Sequence, residues 1–211
     1  MERSVLTRAA FVLAGGKSSR MGSGADGSKI DKALLEFRGQ TLLHRVLETA
    51  RAVCERVAIV GDPAKFARHA ALKDEVLVRD VFPECGPLGG IHAALVQSPA
   101  ELNLMLPVDM PFVSKTLLEF LFATAEENDA LVTVPKIGKG WQPLCAIYRP
   151  EFAPSAEEAL RAGKCKIDTL FRDISLHTIE APELIAAGFS ENNFFNVNTP
   201  QDQLTVKQNL P

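Results

Sequence analysis

Residues 12–35 read VLAGGKSSRMGSGADGSKIDKALL, and the kind of loop that follows the apolar start of this stretch decides the fold. Residues 22–27, GSGADG, match G-x-G-x-x-G, the pattern of dinucleotide-binding folds. In those folds the glycines follow a strand at once and open a helix, so that a pyrophosphate meets the helix N-terminus. Here the strand-like run at residues 9–14 ends eight residues before Gly22, and Ser28, Lys29, Ile30 and Asp31 carry no helical apolar period. A P-loop fails as well, since that motif needs Gly-Lys-Ser/Thr and the chain offers Gly27, Ser28, Lys29. GSGADG therefore reads as a Gly/Ser/Asp loop, and the chemistry lies on either side of it.

Outward from this stretch, apolar runs rich in Val, Ile and Leu recur at residues 9–14, 57–60, 76–78, 102–108, 130–134 and 144–148. Continuous rather than alternating runs suit strands buried on both faces. Amphipathic segments lie between them: residues 41–54 place Leu42, Leu43, Val46, Leu47, Ala50, Val53 and Cys54 at helical spacing, and residues 114–128 do so with Leu117, Leu118, Leu121 and Phe122. Strand alternating with helix predicts an α/β fold with a mostly parallel sheet between helical layers. Residues 151–163 and 166–172 read as helical, 176–180 as extended and 199–208 as helical, the last opened by Thr199 as cap, Pro200 and Asp202. No internal repeat, low-complexity tract or charge block interrupts the chain.

The 211 residues are 46% hydrophobic and 23% charged, enough for a three-layer core, and one domain over 1–211 is expected. A net charge of −3 argues against a duplex nucleic-acid binder, so an anionic ligand has to be met by local charge. Residues 15–38 supply it, with Lys17, Arg20, Lys29, Lys32 and Arg38 against Asp26, Asp31 and Glu36. Cys54, Cys85, Cys145 and Cys165 form no C-x-x-C pair, so they suggest neither a zinc site nor a disulfide framework. His44, His69, His92 and His177 show no ligand spacing. AAFVLA is too short for a signal core and no run approaches a membrane span, so a cytoplasmic protein is expected.

Ligands of open parallel sheets bind outside the carboxyl ends of the strands. After the first run, Gly15 and Gly16 allow close backbone approach, successive N–H groups are able to form an anion nest, and Lys17, Ser18, Ser19 and Arg20 add donors. After the third stand Arg79 and Asp80, then Gly86-Pro87-Leu88-Gly89-Gly90 before an apolar helix, glycines that close helix-to-sheet packing would explain equally well. The fourth and most apolar run ends in Pro107-Val108-Asp109-Met110-Pro111-Phe112, where Asp109 either caps a turn or is placed to hold Mg²⁺. Trp141 reads as a core residue.

Leu13-Ala14-Gly15-Gly16-x-Ser-x-Arg20-Met21-Gly22 followed by Asp31-Lys32-x-Leu34-Leu35 resembles the opening signature of the Rossmann-like nucleotidyltransferases, and most of all the molybdenum cofactor guanylyltransferases. The family spacing between Met-Gly and Asp-Lys is shorter than the eight residues, 23–30, found here. Asp80 and the Gly-Pro-Leu run, Asp109-Met110-Pro111-Phe112, Gln142-Pro143-Leu144 and Asn196-Val197-Asn198-Thr199-Pro200 resemble later family motifs in the same order.

The resemblance implies a three-layer α/β/α fold of the nucleotide-diphospho-sugar transferase type. It implies transfer of GMP from GTP to the phosphate of molybdopterin, with Mg²⁺ as cofactor and Asp109 as its ligand. Lys32, Arg20 and Asp109 carry the chemistry in this reading. Leu13, Ala14, Gly15, Gly16, Lys32, Asp80, Asp109, Asn196 and Asn198 bind the nucleotide, and partners in molybdenum cofactor assembly or acceptor enzymes follow. A transferase using CTP, one acting on a sugar phosphate, and a non-catalytic nucleotide-binding assembly protein stay open as alternatives.

Overall fold

The computed structural model describes residues 6–15, 31–66, 72–138 and 140–209. In chain order the strands are β1 (Arg8–Leu13), β2 (Glu36–Phe37), β3 (Gln40–Thr41), β4 (Arg56–Val60), β5 (Val76–Val78), β6 (Leu102–Pro107), β7 (Val132–Ile137), β8 (Gly140–Trp141), β9 (Ala146–Tyr148) and β10 (Leu176–Ile179). The helices are α1 (Leu42–Arg51), α2 (Pro63–Phe66), α3 (Pro87–Gln97), α4 (Lys115–Glu126), α5 (Ala153–Arg161), α6 (Ile167–Leu170), α7 (Ala181–Ala186) and α8 (Pro200–Asn209). Short 3₁₀ turns, one of them Lys32–Leu34, join several of these.

The main sheet runs β10-β7-β9-β6-β1-β4-β5, with β8 paired to β7. Strands β1, β4, β5 and β6 are parallel, and β9 runs antiparallel between β6 and β7. Alternation along each strand divides its side chains between two layers. Ala10, Val12, Ile59, Leu104 and Leu106 enter the layer capped by α1, α4 and α7, whereas Ala9, Phe11, Ala58, Val60 and Met105 enter the layer capped by α3 and α5. Both faces being covered is why these strands read as unbroken apolar runs.

The helices begin where the side chains cap them. Thr41 accepts the His44 N–H at 3.1 Å at the start of α1, and Ser114 accepts the Leu117 N–H at 3.2 Å at the start of α4. Thr199 and Asp202 close a reciprocal pair of bonds at α8, as the sequence leads one to expect. The pairs β2–β3 and β7–β8 are two residues a strand on at least one side, and α2 and α7 are short, so periodicity had no length over which to announce them.

One expectation is corrected. Cys85 and Cys165, 80 residues apart, form a disulfide with Cα atoms 4.8 Å apart, whereas spacing alone suggests no pairing. Packing of α3 against α5 brings their segments together, and that is a tertiary fact with no local signature. Cys54 and Cys145 are buried free thiols, as expected, and burial pushes both up to about 12. Trp141 packs against the α3–α5 layer, edge-on to Phe171, with its indole N–H on the Thr178 hydroxyl. Among the described residues no helix is long and apolar enough to cross a membrane.

Candidate active site

β1 is the switch point of the sheet: the chain leaves it for β4 and β5 on one side and returns to β6 on the other. Loops diverge at such a point and leave a crevice at the carboxyl edge. A cavity of about 490 Å³ lies there, lined by Leu13, Ala14 and Gly15 at the end of β1, Gly61 and Asp62 just after β4, Arg79 and Asp80 just after β5, and Val108 and Asp109 just after β6, with Asp31 and Lys32 closing one side. Four strand ends thus meet at one pocket.

Lys32 opens its 3₁₀ turn behind Asp31, whose carboxylate accepts the Ala33 N–H at 3.1 Å. The Lys32 ammonium donates to Asn198 Oδ1 at 2.7 Å and stands 3.3 Å from Asp109 Oδ2, both side chains of the ion pair being mostly buried. Residues 77 and 166 positions further along the chain are therefore gathered on one lysine. The C-terminal segment is fixed to the site by its backbone, since the Val197 N–H bonds the Asp109 carbonyl at 2.9 Å. Val197 is itself fully buried with Phe37, Leu42 and Val206, which anchors that segment. Asp202 accepts the N–H groups of Asn198 and Thr199. Its carboxyl lies below the ordinary range: desolvation works against this, and the bonds from Asn198 and Thr199 with the charge of Lys32 outweigh it.

Across the pocket, burial pushes the Asp80 carboxyl above its ordinary value, against the bond it accepts from the Phe82 N–H and the nearby His92. Gly89, in the first turn of α3, lets Asp80 sit against the helix. A Cβ there would stand 2.6 Å from the Phe82 carbonyl oxygen and 2.7 Å from Asp80 Oδ1. Alanine in a helix interior is favoured over glycine by roughly 1 kcal/mol, but overpacking against backbone costs about 1–3 kcal/mol, so the clash wins. Gly89→Ala is expected to lower the urea midpoint of unfolding; a variant as stable as the parent would contradict this packing.

Of the residues singled out by sequence, Leu13, Ala14, Gly15, Lys32, Asp80 and Asp109 line one cavity, and Asn198 reaches it through Lys32. Asn196 does not join them in this way, since its amide donates to the Phe194 carbonyl at 3.1 Å. Gly16 and Arg20 lie outside the described residues, as do Lys17, Lys29 and GSGADG. Sequence reasoning missed Gly61 and Asp62, although the rule of reading each strand's carboxyl end would have reached both.

Comparison with known proteins places this geometry in context. Residues 10–177 match the MobA-like NTP transferase domain. A relative from Pelotomaculum thermopropionicum, named as a probable molybdenum cofactor guanylyltransferase, is 34% identical over 96% of this chain and 93% of its own length. The molybdenum cofactor guanylyltransferase of Desulfosudis oleivorans is 30% identical over 91% of this chain and 90% of its own. The crystal structure of molybdopterin-guanine dinucleotide biosynthesis protein A from Archaeoglobus fulgidus superposes with a TM-score of 0.80 at 26% identity, covering 95% of this chain and 97% of that one.

Proposed function

Because the chain belongs to the MobA-like NTP transferases, and within them to the molybdenum cofactor guanylyltransferases, we propose that it transfers GMP from GTP to the phosphate of molybdopterin, forming the guanine dinucleotide and releasing pyrophosphate. The observation that carries this reading is the convergence of Lys32, Asp109 and Asn198 beside the cavity at the β1 switch point. A cation next to a carboxylate at the carboxyl edge of a parallel sheet suits a triphosphate better than a neutral ligand.

The terminal phosphate of the acceptor is already ionised, so no side chain has to take a proton from it. One of its oxygens attacks the α-phosphorus of GTP while the bond to the β-phosphate breaks, and pyrophosphate departs with the bonding electrons. Positioning and neutralisation of charge then supply the rate. Lys32 neutralises charge on the α-phosphate and the departing pyrophosphate, and Asn198 holds its ammonium in place. Leu13, Ala14 and Gly15 meet the nucleotide and Asp80 contacts its base side. Arg20 and Gly16 extend the phosphate cradle in this proposal, and Asn196 and Asn198 complete the nucleotide site from the C-terminal segment.

Mg²⁺ belongs to the same proposal, and the donor set fits it. Asp109 presents one carboxylate to the cavity, and no group of three or more His, Cys, Asp or Glu side chains able to hold a metal occurs among the described residues. One or two carboxylates completed by substrate phosphates and water is the way proteins hold Mg²⁺ in nucleotide sites. When bound, it supplies Lewis-acid stabilisation of the phosphates. A cytoplasmic place of action, where nucleoside triphosphates are available, completes the reading.

The test is to incubate the protein with Mg²⁺, molybdenum-loaded molybdopterin and each nucleoside triphosphate in turn, identifying the dinucleotide by mass. Buried groups left unpaired by the wrong base make discrimination large. GTP is expected to yield at least about a hundredfold more product than CTP, a lower bound well inside the roughly 10⁴-fold rejection open to a site that hydrogen-bonds its substrate. Comparable yields from both would favour the cytidylyl alternative, and GTP binding without pyrophosphate release would favour a non-catalytic protein.

A further inference from the structure

Lys65, in α2, joins two parts of the site that are remote from it in sequence. Its ammonium donates to the Ala14 carbonyl at 2.9 Å and pairs with Asp31 Oδ2 at 2.9 Å. Ala14 directly follows β1 and is 2% exposed, and Asp31 is the residue whose other carboxylate oxygen caps the turn bearing Lys32. One ammonium carries three donors on a single atom and so bonds to both segments at once. The ammonium also stands over the Phe66 ring, 5.0 Å from its centroid, and Asp62 caps the start of α2 through the Ala64 N–H.

We propose that Lys65 is a positioning residue for nucleotidyl transfer, holding the Ala14–Gly15 peptide and the Asp31–Lys32 turn in register across the mouth of the cavity. Two consequences follow from geometry. The carbonyl of Ala14 and the N–H of Gly15 share one rigid plane and point opposite ways, so a bond that fixes the first also fixes the direction of a donor on a cavity-lining residue. The Asp31 carboxylate, held by Lys65 through one oxygen and by the Ala33 N–H through the other, sets where the Lys32 turn begins. From there the Lys32 ammonium reaches Asp109 and Asn198. Lys65 thus acts through Lys32 and Gly15 rather than by touching the reacting atoms, and constellations of this kind lose rate when their support is loosened.

The kinetic arm of the test rests on the nucleotidyl-transfer reading above; a second arm does not. Steady-state pyrophosphate release from GTP with molybdopterin as acceptor is measured for Lys65→Met, Lys65→Arg, Asp31→Asn, the Lys65→Met/Asp31→Asn pair, and Lys65→Met in a Lys32→Ala background. Lys65→Met is expected to lower kcat about tenfold with KM for GTP changed less than about threefold, and Lys65→Arg to recover part of the loss. The double variant falls no further than about twofold below the worse single, and without Lys32 the Lys65 change costs less than about twofold, because residues acting as one unit are not additive. Additive losses, or a loss in thermal stability with kcat unchanged, would overturn the proposal.

The second arm is amide hydrogen exchange of the unliganded protein. Lys65→Met should speed exchange at Ala33, Leu34 and Leu35, whose N–H groups bond to Asp31 and Lys32, while β6 exchanges as in the parent. Unchanged exchange in that turn refutes the positioning role. If the parent itself releases no pyrophosphate, the functional reading fails and the exchange result alone decides Lys65.

Discussion

Asp109→Asn is expected to leave the fold intact and to lower turnover by about a hundredfold or more, the scale of losing a metal ligand or a main charge-stabilising group. The fold survives because what Asp109 gives the backbone is its carbonyl, which accepts the Val197 N–H, and asparagine retains it. Its amide oxygen is also able to accept from Lys32, so the neighbour at 3.3 Å is not left without an acceptor. What asparagine lacks is the negative charge a divalent cation needs. Turnover measured across a Mg²⁺ titration checks this: the variant should need far more Mg²⁺ and still fall short of the parent. Parental activity at limiting Mg²⁺ would remove Asp109 from the proposed metal site.

How far this site could be read from the sequence depended on whether each residue stands at the end of a recognisable strand. Asp109 was legible because β6 is the most apolar run in the chain and the acid comes two residues past its end. Asp80 follows β5 in the same way, and Leu13 to Gly15 follow or end β1. The sheet order was legible only in class. Nothing in residues 146–148 distinguishes an antiparallel strand from a parallel one, because β9 is buried on both faces like its neighbours. Lys65 escaped notice since an isolated lysine in a four-residue helix has no pattern, and its meaning comes from Ala14, 51 residues earlier. The Cys85–Cys165 pair escaped for the same reason. Asn198 was half legible: the motif suggested Asn196 and Asn198 together, and only the anchoring of Val197 between them decides which amide faces Lys32.

Lys32→Ala is expected to cost at least about tenfold in turnover, a lower bound to the roughly 10²–10³-fold loss that follows removal of one preorganised charge-stabilising donor. The competing candidate in the sequence is Lys29, three residues earlier in the same basic stretch and outside the described residues. The choice between them rests on preorganisation. Ala33, directly after Lys32, is 1% exposed in the core, and the turn around it is closed by bonds from the Ala33, Leu34 and Leu35 N–H groups. Asn198 and Asp109 then hold the ammonium itself. A long side chain fixed in this way has already lost rotamer freedom worth roughly 1.5–2 kcal/mol, whereas Lys29 stands in a Gly/Ser-rich stretch of sequence with no apolar anchor beside it of the kind Ala33-Leu34-Leu35 give Lys32. Lys29→Ala, or deletion of residues 23–27, is therefore expected to change KM for GTP more than kcat. Pyrophosphate release by the three variants, with KM and kcat separated, distinguishes the cases. If Lys29→Ala cripples kcat and Lys32→Ala is mild, the Asp31–Lys32 match to the family motif is misplaced. In that event the phosphate cradle has to be sought in the stretch that carries GSGADG, and the bonds from Lys32 to Asn198 and Asp109 serve only to close the C-terminal segment onto the sheet.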